Sequence, residues 1–169
     1  NFNFIVLASQ YSFHMTFAGL LAATLYFVME RNNLTPKYSA VGSLCMMVVG
    51  IAAISYASMI DMVGLDGVGE TLAQFPTEFR YVDWILTTPL TLCAMVLLTN
   101  SENKGGLFTK LITGDAIMIT SGYIGEVSIN SSGGGTVTGW ICFVISIIGF
   151  VYLLTVIYGA LSEAAGDMP

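Results

Sequence analysis

Apolar residues fall in five long runs, roughly 4–29, 39–62, 78–99, 107–127 and 138–161, separated by polar links. About twenty such residues make a helix long enough to cross a bilayer, so the pattern predicts five spans. The first run is closed by Glu30-Arg31-Asn32-Asn33, with Pro36-Lys37 in a short turn after it. The second extends from Tyr38 through Met46-Met47-Val48-Val49 to Met59. The longest polar segment follows, from Asp61 to Glu78, with Gly64, Gly67 and Gly69 in it. Asn100 to Gly106 and Ser131 to Gly135 separate the last three runs. No internal repeat is present. The predicted fold class is all-α, a polytopic transmembrane helix bundle forming one transmembrane domain over residues 1–169.

Composition agrees with this reading. Hydrophobic residues make up 55% and charged residues 9%, where a soluble domain carries about 25% charged. Mean hydropathy is +0.78. The expected environment is a lipid bilayer. The net charge of −6 comes mainly from link and terminal acids and argues against nucleic acid as a partner. Cys45, Cys93 and Cys142 lie inside apolar runs without metal-ligand spacing, and read as small buried hydrophobes. His14 is the single histidine and reads as a helix residue. No metal site is expected.

Basic residues set the orientation. Arg31 and Lys37 lie in the first link, and Lys104 and Lys110 lie in and just after the third. With alternating crossings both links face the cytoplasm, so the N-terminus is expected to be extracellular in a multi-pass protein of the cell membrane. The chain starts at Asn1 without an initiator methionine or a basic n-region. Either a targeting peptide has been removed or the expressed chain begins there.

The third run carries the chemistry. Asp83 sits one turn inside it, although an ionised side chain near mid-membrane costs roughly 2.5–3.5 kcal/mol on insertion scales. At about 100° per residue, Asp83 and Thr87 share one helix face, and Arg80 lies beside them towards the nearer surface. Pro89 interrupts the backbone hydrogen bonding, which a membrane helix tolerates. An acid with a hydroxyl above it and a guanidinium below is a holder for the counter-ion of a buried cation. Arg80 stands outside the cytoplasmic links, so an electrostatic role is expected for it.

Arg80-Tyr-Val-Asp83-Trp84-Ile-Leu-Thr87-Thr88-Pro89-Leu90 closely resembles the third helix of microbial rhodopsins, seven-helix retinal proteins that include bacteriorhodopsin and proteorhodopsin. Gly114-Asp115-Ala116-Ile117-Met118-Ile119 resembles the fourth helix of bacteriorhodopsin, and Gly122-Tyr123-Ile124-Gly125-Glu126 its end in proteorhodopsins. Tyr56-Ala57-Ser58-Met59 resembles a second-helix segment, and Leu34-Thr35-Pro36-Lys37-Tyr38 the first cytoplasmic turn. The resemblance implies all-trans retinal as cofactor and a protein that is not an enzyme. It makes Asp83 the Schiff-base counter-ion and proton acceptor, Thr87 its hydrogen-bond partner, and Arg80 the gate towards the outward release region. Trp84, Thr88, Thr91, Met118 and Gly122 would line the retinal, with Trp140 near its ring and Thr91 at a colour-tuning position. Asp115 reads as a structural hydrogen bond between helices three and four. Glu126 reads equally as a solvated or interhelical group and as part of proton release. A homo-oligomer is expected, of a number no residue fixes.

Three departures qualify these expectations. Ala94 stands eleven residues after Asp83, within about 20° of the same face, where outward proton pumps of the family commonly carry a carboxylate donor. Tyr56 stands at the position expected for the second-helix histidine that partners the counter-ion in proteorhodopsins. The lysines are Lys37, Lys104 and Lys110, all in or beside links, whereas the Schiff-base lysine belongs to helix seven. Helices six and seven are therefore expected to be missing from this chain.

The leading expectation is a light-driven outward proton pump. The alternatives are a photosensory receptor or an inward, xenorhodopsin-like proton pump, both suggested by Ala94, and an unrelated five-helix protein. A chloride pump is disfavoured by Asp83 itself, and a sodium pump by the Asp83–Thr87 arrangement.

Overall fold

The computed structural model describes residues 2–62, 78–99, 101–131 and 135–166. These form α1 (Phe2–Glu30), a 3₁₀ turn (Arg31–Asn33), α2 (Pro36–Met62), α3 (Glu78–Leu98), α4 (Lys104–Ser131) and α5 (Val137–Gly166). The all-helical prediction holds. Most of the acidic link between α2 and α3, and part of the glycine-rich link before α5, lie outside the described residues.

Local signals fix the helix ends. Pro36 opens α2, a position where its missing N–H forfeits nothing. The Asn103 side-chain oxygen accepts from the Gly106 N–H at 2.8 Å, and Thr136 Oγ1 accepts from the Gly139 N–H at 3.0 Å. Each caps the orphan donors of a helix start. Lys104 Nζ donates to the Leu97 carbonyl at 3.4 Å, at the C-terminal end of α3 where carbonyls lack helical partners.

α1, the α2 region, α3 and α5 each carry a segment long and apolar enough to cross a membrane. α4, with 28 residues, reaches about 42 Å, but Lys104, Lys110, Asp115 and Glu126 make it the most polar of the five. Outward faces of α1 and α5 expose residues such as Leu25, Tyr26, Ile148 and Phe150, as suits contact with lipid.

The chain divides into two units, residues 1–87 and 88–169. In the first, α1 packs on α2. Phe13 meets Tyr56 with ring centroids 5.7 Å apart, and Ala53 and Met59 are buried. The first half of α3 buries Tyr81, Asp83 and Thr87.

In the second unit Leu92 and Val96 of α3, Leu111 of α4 and Leu153 of α5 form the core. α4 and α5 approach closely through small residues. A Cβ added at Gly125 would lie 3.2 Å from the Gly139 carbonyl oxygen, and one at Gly149 would lie 3.2 Å from the Met118 backbone nitrogen. Ser146 Oγ donates to the Met118 carbonyl at 2.8 Å. Because lipid is as apolar as leucine, helix association in membranes relies on this kind of close packing and hydrogen bonding.

Candidate functional site

Asp83 is 7% exposed on α3. Its Oδ1 accepts a hydrogen bond from Ser55 Oγ at 3.1 Å, so a residue of α2 reaches the carboxylate from 28 positions earlier in the chain. Thr87 Oγ1 donates at 2.8 Å to the main-chain carbonyl of Asp83. This is the i−4 back-bond that serine and threonine make in helices. The i, i+4 prediction thus brings Thr87 to Asp83, with the resolved bond on the backbone oxygen.

The second-helix contact of Asp83 is Ser55. Tyr56, read as standing where proteorhodopsins carry their second-helix histidine, packs its ring on Phe13, and Ser55 makes the contact with the acid. One residue of helix rotation, about 100°, separates the two. α2 is apolar around most of its circumference, so hydropathy gives no signal for which of them points at α3.

Arg80 makes a contact that helical spacing alone does not specify. Its guanidinium carbon lies 5.2 Å from the centre of the Trp84 ring, a cation–π contact one turn along the helix. Tyr81 meets the same ring edge-on, with centroids 5.2 Å apart. Arg80, Tyr81 and Trp84 therefore form one packed group at the start of α3.

In the second unit, Thr88 Oγ1 donates to Asp115 Oδ2 at 2.7 Å. Asp115 is 4% exposed, and this bond ties α3 to α4 as the sequence reading of Asp115 required. Met118 is half-buried against the Leu92–Leu153 core, with its backbone held by Ser146. Gly122 is half-buried and Thr91 exposed. Trp140 is 56% exposed and meets Phe143 edge-on at 5.9 Å. Ala94 is buried; it offers no proton-binding atom.

His14 donates from Nδ1 to the Gln10 carbonyl, 2.9 Å away on its own helix. The three cysteines are free and half-buried. Ser55 is the contact to Asp83 that the sequence reading missed. The signal available was a hydroxyl beside Tyr56 in an otherwise apolar stretch.

The bacteriorhodopsin-like protein family matches residues 7–169. The chain belongs to this family. It is 42% identical to Exiguobacterium sibiricum rhodopsin, with a TM-score of 0.87 over 97% of this chain and 69% of that one. Xanthorhodopsin, a light-driven ion pump with dual chromophore, gives 32% identity and a TM-score of 0.78, over 95% of this chain and 68% of that one. The green-light absorbing proteorhodopsin of Gamma-proteobacterium EBAC31A08 is 32% identical over 94% of this chain. The chain spans 60% of that relative's length. This is a multi-pass membrane protein of the microbial rhodopsin type.

Proposed function

We propose that the protein is a light-driven outward proton pump that binds all-trans retinal, with Asp83 as counter-ion and proton acceptor. One observation carries this reading. A carboxylate buried in a membrane helix has a hydroxyl donor on its side chain and another on its main chain, a built site for an anion facing a buried cation. Removing a lone charge from water is costly unless it is paired, and a cation at Asp83 supplies that pairing.

Retinal, held as a protonated imine, supplies the cation and a light-driven change in its position. Asp83 offers a carboxylate oxygen to receive a proton, and Thr87 holds the main chain that carries it. Arg80, anchored over Trp84, places positive charge one turn towards the outward end of α3. Trp84, Thr88, Thr91, Met118, Gly122 and Trp140 are assigned to the chromophore surroundings by family resemblance. The lysines of this sequence lie in or beside links, so the covalent anchor is assigned to a part of the protein beyond these five helices. An extracellular N-terminus and a homo-oligomer complete the proposal. The protein transports and does not act as an enzyme.

Ala94 favours a second reading. Outward transport requires the proton to be replaced from the cytoplasmic side, and the buried alanine cannot carry it. A photosensory receptor or an inward pump has no need of a donor there.

The test uses the full-length gene expressed in cells given all-trans retinal, with external pH followed under illumination. Acidification abolished by a protonophore is the expected result. Alkalinisation abolished the same way means an inward pump. A visible pigment without a pH change means a sensor.

A further inference from the structure

We propose that the cleft between the start of α4 and the end of α5 binds the phosphoethanolamine headgroup of a membrane phospholipid. The inference goes beyond the pumping reading and makes no use of Asp83.

The cleft has a volume of about 290 Å³ and lies within the second unit. Asn103, Leu107 and Lys110 wall it from the α4 side, and Thr155, Gly159 and Glu163 from α5. Each set recurs at helical spacing and forms one face. Pockets for whole small molecules run from roughly 300 to 1,000 Å³, so this one takes a headgroup and leaves the acyl chains outside. Its depth fits that occupant. The apolar spans of α3 and α5 end at Leu98 and Glu163, and Lys110 stands about 9 Å along α4 from its start at Lys104. Gly106, also in the wall, precedes Asp115 by about two and a half turns, so it faces away from the bond that Asp115 makes with α3. The cleft opens towards lipid.

Polarity across the cleft selects the chemistry. Donors stand on the α4 side. One is the Lys110 ammonium; the other is the NH₂ of Asn103, whose oxygen already accepts from the Gly106 N–H at 2.8 Å. Acceptors stand on the α5 side. Thr155 spends its hydroxyl hydrogen on the Val151 and Tyr152 carbonyls, at 2.9 and 2.7 Å, which leaves its oxygen to accept beside the Glu163 carboxylate. No ion pair joins Lys110 to Glu163 among the described residues. A phosphate against Lys110 and Asn103, with an ammonium against Glu163 and Thr155, satisfies both walls through charge-assisted hydrogen bonds. Phosphoglycerol offers Glu163 no cation, and phosphocholine offers it no N–H. Gly159 keeps the space clear: a Cβ added there would meet nothing within 4 Å.

In the experiment the full-length, retinal-loaded protein in mild detergent meets an equal mixture of dioleoyl phosphatidylethanolamine, phosphatidylcholine and phosphatidylglycerol. Retained lipid is counted by native mass spectrometry, and visible absorbance shows that each variant is folded. Phosphatidylethanolamine should be retained about tenfold over the other two, the ratio expected for one hydrogen bond to a charged group. Gly159→Leu should fill the cleft and abolish retention. Gly19→Leu, at an α1 glycine that also has open space around it, should leave retention unchanged. Glu163→Gln should erase the preference over phosphatidylglycerol, and Lys110→Gln should weaken the retention of phosphatidylethanolamine.

Equal retention of the three lipids would overturn the proposal, as would a preference that survives both Gly159→Leu and Glu163→Gln. Displacement of the lipid by free phosphoethanolamine would make the ligand a soluble one and remove the lipid assignment. Absence of any retained lipid would mean that the chain beyond α5 covers the cleft, and would equally sink the idea.

Discussion

Two buried acids in this molecule are built alike and surrounded differently. Asp83 takes a hydroxyl hydrogen bond from Ser55, and Asp115 takes one from Thr88. In each case the donor lies on the preceding helix, 28 and 27 residues back in the chain. Around Asp115 the helix is packed. Leu111 is fully enclosed, and a Cβ at Gly114 would meet the Tyr152 ring at 2.8 Å. Beside Asp83, Val82, Ile85 and Leu86 are all more than half exposed, and Trp84 is 37% exposed. Asp83 also has a guanidinium one turn away and a second hydroxyl on its own carbonyl. The same bond is a pin where close packing leaves no room for change, and part of a site where open helix faces and a nearby charge accompany it.

The largest expected effect comes from Asp83→Asn in the full-length pigment. It should produce a large red shift that no longer depends on pH and reduce light-driven proton movement at least tenfold. An unchanged spectrum would place Asp83 beside Asp115 as a structural acid. Next in size is Asp115→Leu, which removes the acceptor of the Thr88 hydroxyl. Stability should fall by about 1–3 kcal/mol, read from denaturant or thermal unfolding, while light-driven proton movement persists. If transport is lost and stability is kept, the contrast between the two acids collapses. The smallest is Ser146→Ala at the α4–α5 contact. Interhelical hydrogen bonds in membranes average about 0.6 kcal/mol, and an unfolding measurement should find a loss of that order without a spectral change.

Much of this was readable before any coordinates. Asp83 inside a twenty-residue apolar run was visible because charge in hydrocarbon is so unfavourable that its presence is itself a signal. Thr87 followed from helical spacing, and the caps at Asn103 and Thr136 match the residue types that helix starts prefer. Asp115 was correctly read as a link between the third and fourth helices. The contact of Arg80 with Trp84 was not legible, since a long flexible side chain beside both an acid and a tryptophan has two favourable positions, and spacing alone does not choose between them. Trp140 shows a related limit: its place on α5 was legible, but the aromatic neighbour it meets depends on side-chain rotation.

The sequence by itself determined that the chain forms long membrane helices, where they run, and which acid stands inside one of them. Those properties depend on local composition and on the fixed geometry of one helix. Tertiary structure alone decided that Ser55, and not Tyr56, meets the carboxylate, and that Gly125 and Gly139, or Gly149 and Met118, lie against each other. Both depend on how far each helix is turned about its own axis. A step of one residue turns a side chain by about 100°, and a helix apolar on nearly every side carries no stripe to fix that angle. It is set by the fit of small residues and hydroxyls against the neighbouring helix.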